Sequence, residues 1–185
     1  MNANPYVAEI LGELERAAQQ LDDGQADLLA SRIGEASKLF VAGAGRSGLM
    51  AKAFAMRLAH LGLNAYVVGE SVTPPIGERD LLILATGSGE TRSLVSMAEK
   101  AKSVQAAVAA VTIRPESTIG RLADIIVRLP GSPKEQADSR AATVQPMGSL
   151  FEQTLLLFFD GMILKLMERH GQNSAAMFGR HANLE

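Results

Sequence analysis

The 185-residue sequence carries a formal charge of −2, no cysteine and no block of lysine or arginine. Disulfides, thiolate metal sites and thiol nucleophiles are thereby excluded, and nucleic acid or an anionic membrane surface is a poor match as main partner. Hydrophobic residues at 47% and charged ones at 21% describe an ordinary globular chain, expected to be one cytoplasmic domain over residues 1–185 that binds a small molecule.

Val7, Ile10, Leu11, Leu14, Ala18 and Leu21 recur at intervals of three and four, which predicts an amphipathic first helix. Leu28, Leu29 and Ile33 mark a second, the pair occupying about residues 3–36. This N-terminus lacks the basic start and uniform apolar run of an export signal. Short apolar runs then alternate with helical stretches: KLFVA, AYVV, LLILA, AVAAVT and DIIVRL read as strands, with helices at about Ser47 to Leu61 and Thr91 to Ala101. Strands apolar along their whole length are buried on both faces. The expected fold is therefore α/β, a doubly wound three-layer sandwich around a five-stranded parallel sheet. The stretch LPGSPKEQADSRAATVQP after the last strand is too long for a simple connector and is expected to form a lid or wall of a site. A long helix at about Ser149 to Arg169 comes next, then a tail with room for one short helix. The apolar run Leu155–Phe159, continued by Met162–Leu164, is broken by Asp160 well short of the ~20 residues a membrane span needs. Apolar nearly all round, that helix exceeds what one sheet face covers, so residues 149–185 are expected to provide a subunit interface.

Two turns carry the chemistry. In VAGAGRSG, Gly43, Gly45 and Gly48 satisfy G-x-G-x-x-G at a strand-to-helix turn, and Glu70 beyond the second strand offers the acidic group of a dinucleotide site. The second turn, Thr86-Gly87-Ser88-Gly89-Glu90-Thr91, concentrates three hydroxyls at the start of the next helix, where free N–H groups and the helix dipole favour an anion. Together with Ser47 it suits one compact phosphate better than a dinucleotide. The alternative is that Ser88 or Thr91 only caps that helix. Arg46 is a further candidate for the phosphate or a sugar hydroxyl, ranked below Ser47 because an exposed turn arginine is equally ordinary.

VAGAGRSG followed by LLILATGSGET resembles the sugar isomerase (SIS) domain family over nearly the whole chain, with Thr86 where a serine is usual. QPMGSLFEQ and the terminal RHANLE resemble its 6-phospho-3-hexuloisomerase branch, which converts D-arabino-3-hexulose 6-phosphate to fructose 6-phosphate after formaldehyde fixation in the ribulose monophosphate pathway. That resemblance implies a phosphorylated ketohexose substrate, no redox cofactor, a homotetramer, Glu152 as the base and His181 acting with it, from the same or a neighbouring subunit. Read without it, Ser149 and Glu152 in SLFE form a capping box, and His181 is a solvated tail histidine. His60 and His170, each near a helix end followed by glycine, read as structural cations at the negative pole of the dipole. Three scattered histidines without cysteine build no metal site.

Overall fold

The computed structural model describes residues 4–131 and 143–184; most of the expected wall segment lies outside them. Asn4 and Asp22 start the first two helices. The Asn4 carboxamide accepts from the N–H groups of Tyr6 and Val7 ahead of α1 (Pro5–Ala18), and Asp22 accepts from Gln25 N–H ahead of α2 (Asp23–Glu35). Proline at the first position of α1 costs no helical bond there. The remaining elements are β1 (Leu39–Gly43), α3 (Gly45–His60), β2 (Ala65–Val67), β3 (Leu81–Ala85), α4 (Arg92–Ser103), β4 (Ala107–Thr112), α5 (Thr118–Leu122), β5 (Ile125–Arg128), α6 (Ser149–Arg169) and α7 (Ser174–Phe178). The α5 helix has too few residues to show a period in sequence, and only Ser117, which caps it by accepting from Gly120 N–H, hints at its start.

All five strands are parallel in the order β2-β1-β3-β4-β5. Because side chains alternate along a strand, each splits its apolar residues between two cores. Leu39, Val41, Leu81, Ile83, Ala109 and Val111 pack toward α2, α3 and α6. Phe40, Ala42, Leu82, Leu84, Val108 and Ala110 pack toward α4 and α5. On the first side Phe54 of α3 stacks on Phe159 of α6 with ring centroids 4.2 Å apart, fixing those helices to each other. The expected doubly wound α/β sandwich is the observed one.

The apolar faces of two helices differ from expectation. In α1, Ile10 and Leu14 are half-buried while Tyr6, Val7 and Leu11 are exposed, and the most buried side chains are those of Glu13 and Ala17. In α6, α3 and the sheet cover Phe151, Leu155, Phe158, Phe159, Met162, Ile163 and Leu166, more than one sheet face would, but leave Leu157 and Leu164 exposed. Among the described residues no helix is long and apolar enough to cross a membrane.

Candidate active site

From β1 the chain steps to β2 on one side and then returns to β3 on the other, so the crossovers diverge between β1 and β3. In an open parallel sheet this is where a crevice forms beyond the strand ends. Gly43 and Ala85 are paired at the last position of the two strands, so both turns leave the sheet at the same level. Gly43 and Gly48 bring the first turn close to its strand. A Cβ on Gly43 would lie 2.9 Å from the Gly48 Cα, and one on Gly48 would lie 2.6 Å from the Gly43 carbonyl oxygen.

The turns open on a cavity of about 300 Å³ lined by Ser47 from α3, by Thr86, Gly87, Ser88 and Thr91 from the β3–α4 turn, and by Gly148, Phe151 and Glu152 from the start of α6. Three helices therefore begin at this cavity. Side chains cap α1, α2, α5 and α7 through Asn4, Asp22, Ser117 and Asn173. The N-cap residues of α3, α4 and α6, namely Ala44, Thr91 and Gly148, make no side-chain capping bond, and all three line the cavity. First-turn N–H groups have no partner within a helix, and together with the dipoles they favour an anion.

The hydroxyls supplement this donor set. Thr86 Oγ1, buried, accepts from Gly89 N–H, and Ser88 Oγ accepts from Glu90 N–H. Each hydroxyl still has its own proton to donate. The helix-cap alternative fits neither residue: Ser88 lies ahead of the N-cap, and Thr91 occupies it without a capping bond. Gly89 and Glu90 do not line the cavity. Gly89 has φ +67 and sits under Ser117, where a Cβ would clash with the hydroxyl. Glu90 turns the other way to accept from Thr118 N–H at 2.9 Å, at the first position of α5. That bond holds its carboxyl below the usual range.

Glu152 is 4% exposed, in the first turn of α6. Its Oε2 lies 3.0 Å from Arg46 Nη1, which also donates to Ser149 Oγ at 2.9 Å. The capping-box expectation is corrected here: Gly148 is the N-cap, Ser149 is the first helical residue, and its hydroxyl is engaged by Arg46. Arg46, expected to hold substrate, is the bridge between two helix starts and stands outside the cavity lining.

His181 is not brought to Glu152 within this chain. Its ring lies 5.2 Å from that of His60 and lines a separate cavity of about 440 Å³ with Arg57 and Asp160. His60 ends α3 whereas Ser47 begins it, so roughly 20 Å of helix separates the two cavities. His60 itself is 7% exposed, and burial, with Arg57 and His181 beside it, pushes it below its ordinary value. Its Nδ1 is 3.2 Å from Arg57 Nη1 and accepts, since a guanidinium only donates. The expected cation at this helix end is a neutral imidazole. His170 is the exposed C-cap of α6.

Among the described residues no group of three histidine or carboxylate side chains could hold a metal. Glu70, the dinucleotide alternative's ribose ligand, pairs on the surface with Lys52 at 2.9 Å. Phe151 and Ile113, which complete the cavity wall, carry no sequence signal that separates them from core residues.

Residues 32–159 match the family described as SIS domain. The chain belongs to the SIS domain family. Of its SIS relatives, the 3-hexulose-6-phosphate isomerase of Bacillus subtilis is 59% identical over 185 residues, covering 100% of both chains. The protein of the same name from Mycobacterium gastri is 40% identical over 94% of this chain and 86% of its own. A solved structure from Methanococcus jannaschii superposes with a TM-score of 0.82 at 32% identity, covering 98% of this chain and 100% of that one. It was described as inferring a 3-hexulose-6-phosphate isomerase function.

Proposed function

We propose that the chain is a cofactor-free isomerase that converts D-arabino-3-hexulose 6-phosphate to fructose 6-phosphate through an enediol, the isomerase step of formaldehyde fixation. The observation that carries this reading is the meeting, in one cavity, of three helix N-termini without side-chain caps, a set of hydroxyls and a buried glutamate. The phosphate is held by Ser47, Thr86, Ser88 and Thr91 and the neighbouring N–H groups. Glu152 removes the proton from C2 of the 3-ketose, and the C–H electron pair forms the C2–C3 double bond while charge moves to O3. The O2 proton passes to O3, and Glu152 returns its proton to C3, leaving the carbonyl at C2. A base positioned on both carbons supplies the whole reaction. Two relatives carrying the 3-hexulose-6-phosphate isomerase name over most of their length support the substrate.

The same reading takes the chain as one cytoplasmic domain working as a homotetramer. The exposed Leu157 and Leu164 of α6, with Leu49 and Met56 of α3, support an interface. His181, remote from its own chain's Glu152, then acts on a neighbour's. The test is to supply 3-hexulose 6-phosphate and monitor fructose 6-phosphate. Formation without any added cofactor is expected; no formation over a range of substrate concentrations overturns the reading.

A further inference from the structure

Glu13 is 4% exposed, and none of the turns that build the cavity contains it. A buried carboxylate is costly unless hydrogen-bonded, and this one is held from one short stretch far along the chain. Its Oε2 accepts from Thr143 Oγ1 at 2.7 Å and Gln145 Nε2 at 2.8 Å, and its Oε1 accepts from Val144 N–H at 2.7 Å. Those bonds dock α1, and a purely structural role would end there.

The residues just beyond the gripped stretch give the grip a second consequence. After Gln145 and Pro146, Met147 adopts φ 57, a left-handed conformation that a side chain tolerates only where its surroundings over-determine it. Ser149 N–H bonds to the Pro146 carbonyl at 3.2 Å, closing the turn. The next residues are Gly148, which lines the cavity, Ser149, which receives Arg46, and Glu152. Glu13 fixes the chain on the near side of this bent turn and α6 fixes it on the far side.

We infer that Glu13 is a positioning residue for the proposed base, clamping residues 143–145 so that the Met147 turn delivers the first turn of α6, and Glu152 with it, to the cavity. This rests on the isomerase reading. The hydroxyls of the β3–α4 turn are on a different segment, so loosening the clamp displaces the base and the start of α6 while leaving the hydroxyl side of the proposed phosphate wall in place.

The experiment compares wild type, Glu13→Gln, Thr143→Val and the swapped pair E13Q/Q145E, using 3-hexulose 6-phosphate, with deuterium exchange of the segment 143–152 read in parallel. Glutamine keeps the shape but turns an amide N–H toward the Thr143 and Gln145 donors. Expected for Glu13→Gln are a kcat lower by about 10- to 100-fold, the scale of a displaced reacting group, a KM within about twofold of wild type, and faster exchange at 143–152. Thr143→Val should give a smaller loss in kcat, and the swapped pair, whose amide donates to the new carboxylate, should recover part of it. Unchanged kcat in Glu13→Gln, or kcat and KM shifting together with no recovery in the swapped pair, overturns the positioning role while leaving the isomerase reading intact. An inactive wild type overturns both.

Discussion

Arg46, in the first turn of α3, and Glu152, in the first turn of α6, are paired at 3.0 Å, and the same guanidinium nitrogen reaches Ser149. The pair ties the helix after β1 to the helix that carries the proposed base. Replacing Glu152 by Gln preserves an oxygen for Arg46 to donate to, yet removes the ability to take a proton at neutral pH. Turnover should fall by about 100-fold or more, the scale of a general base. Exchange of the substrate's C2 proton with deuterated water should stop with it, while fructose 6-phosphate still binds and melting is little changed. Near-normal turnover and exchange would leave Glu152 a structural partner of Arg46.

Ser88 separates binding from capping. Among the described residues its hydroxyl bonds only to Glu90 N–H within its own turn, so Ser88→Ala removes a proposed donor to phosphate and no helix cap. Phosphosugar binding should weaken by about 1 to 3 kcal/mol, the scale of a bond to a charged group, and the melting temperature should barely move. Unchanged affinity with a melting temperature lowered by many degrees would reverse the assignment.

Assembly is read from the apolar residues this chain leaves uncovered. Leu164 is 66% exposed and Leu157 50% on α6, and Tyr6, Val7 and Leu11 of α1 are exposed as well. Sedimentation should find an oligomer, a tetramer on the proposed reading, with no stable monomer at micromolar concentration. Leu164→Glu should dissociate it and abolish turnover. If His181 crosses to a neighbour's Glu152, mixing inactive Glu152→Gln and His181→Ala chains restores activity; a folded, fully active monomer contradicts the prediction.

His60 predicts a pH dependence. Burial first, then Arg57 and His181, lower its folded value, while Asp160 lines the same cavity and the Arg180 guanidinium donates to the His60 carbonyl. The unfolded chain, with an ordinary value of about 6.5, therefore binds more protons than the folded one as pH falls below that point. Stability from this group is complete above about pH 6.5 and is lost as pH drops toward the lower folded value. His60→Asn, which keeps an acceptor near the Nδ1 position, should flatten the fall in melting temperature between about pH 7 and 5. An unaltered slope would exclude His60 as its source.

The parallel sheet was legible because LLILA and the first five residues of AVAAVT are apolar at every position, a pattern that requires cover on both faces. The proposed cradle was legible because three hydroxyls and two glycines fall within Thr86–Thr91, where a strand turns into a helix. Glu152 was legible through QPMGSLFEQ, but its bond to Arg46 was not, since those residues are brought together only by the packing of α3 on α6. Nothing in the spacing of the first helix singles out Glu13. No local pattern announces that its partners lie 130 to 132 residues away. The charge state assigned to His60 failed for a related reason: sequence position gives a helix end but not the chain that folds over it.

Gly43 and Gly48 touch so closely that the strand–helix joint has no slack. The helix they admit carries Arg46 and Ser47 in its opening turn. A methyl group at either glycine would act as a wedge, prising the head of α3 away from β1. Arg46 would swing off the α6 start and Ser47 would leave the proposed phosphate wall, so a substitution bearing no reactive atom would disassemble both halves of the proposed site at once.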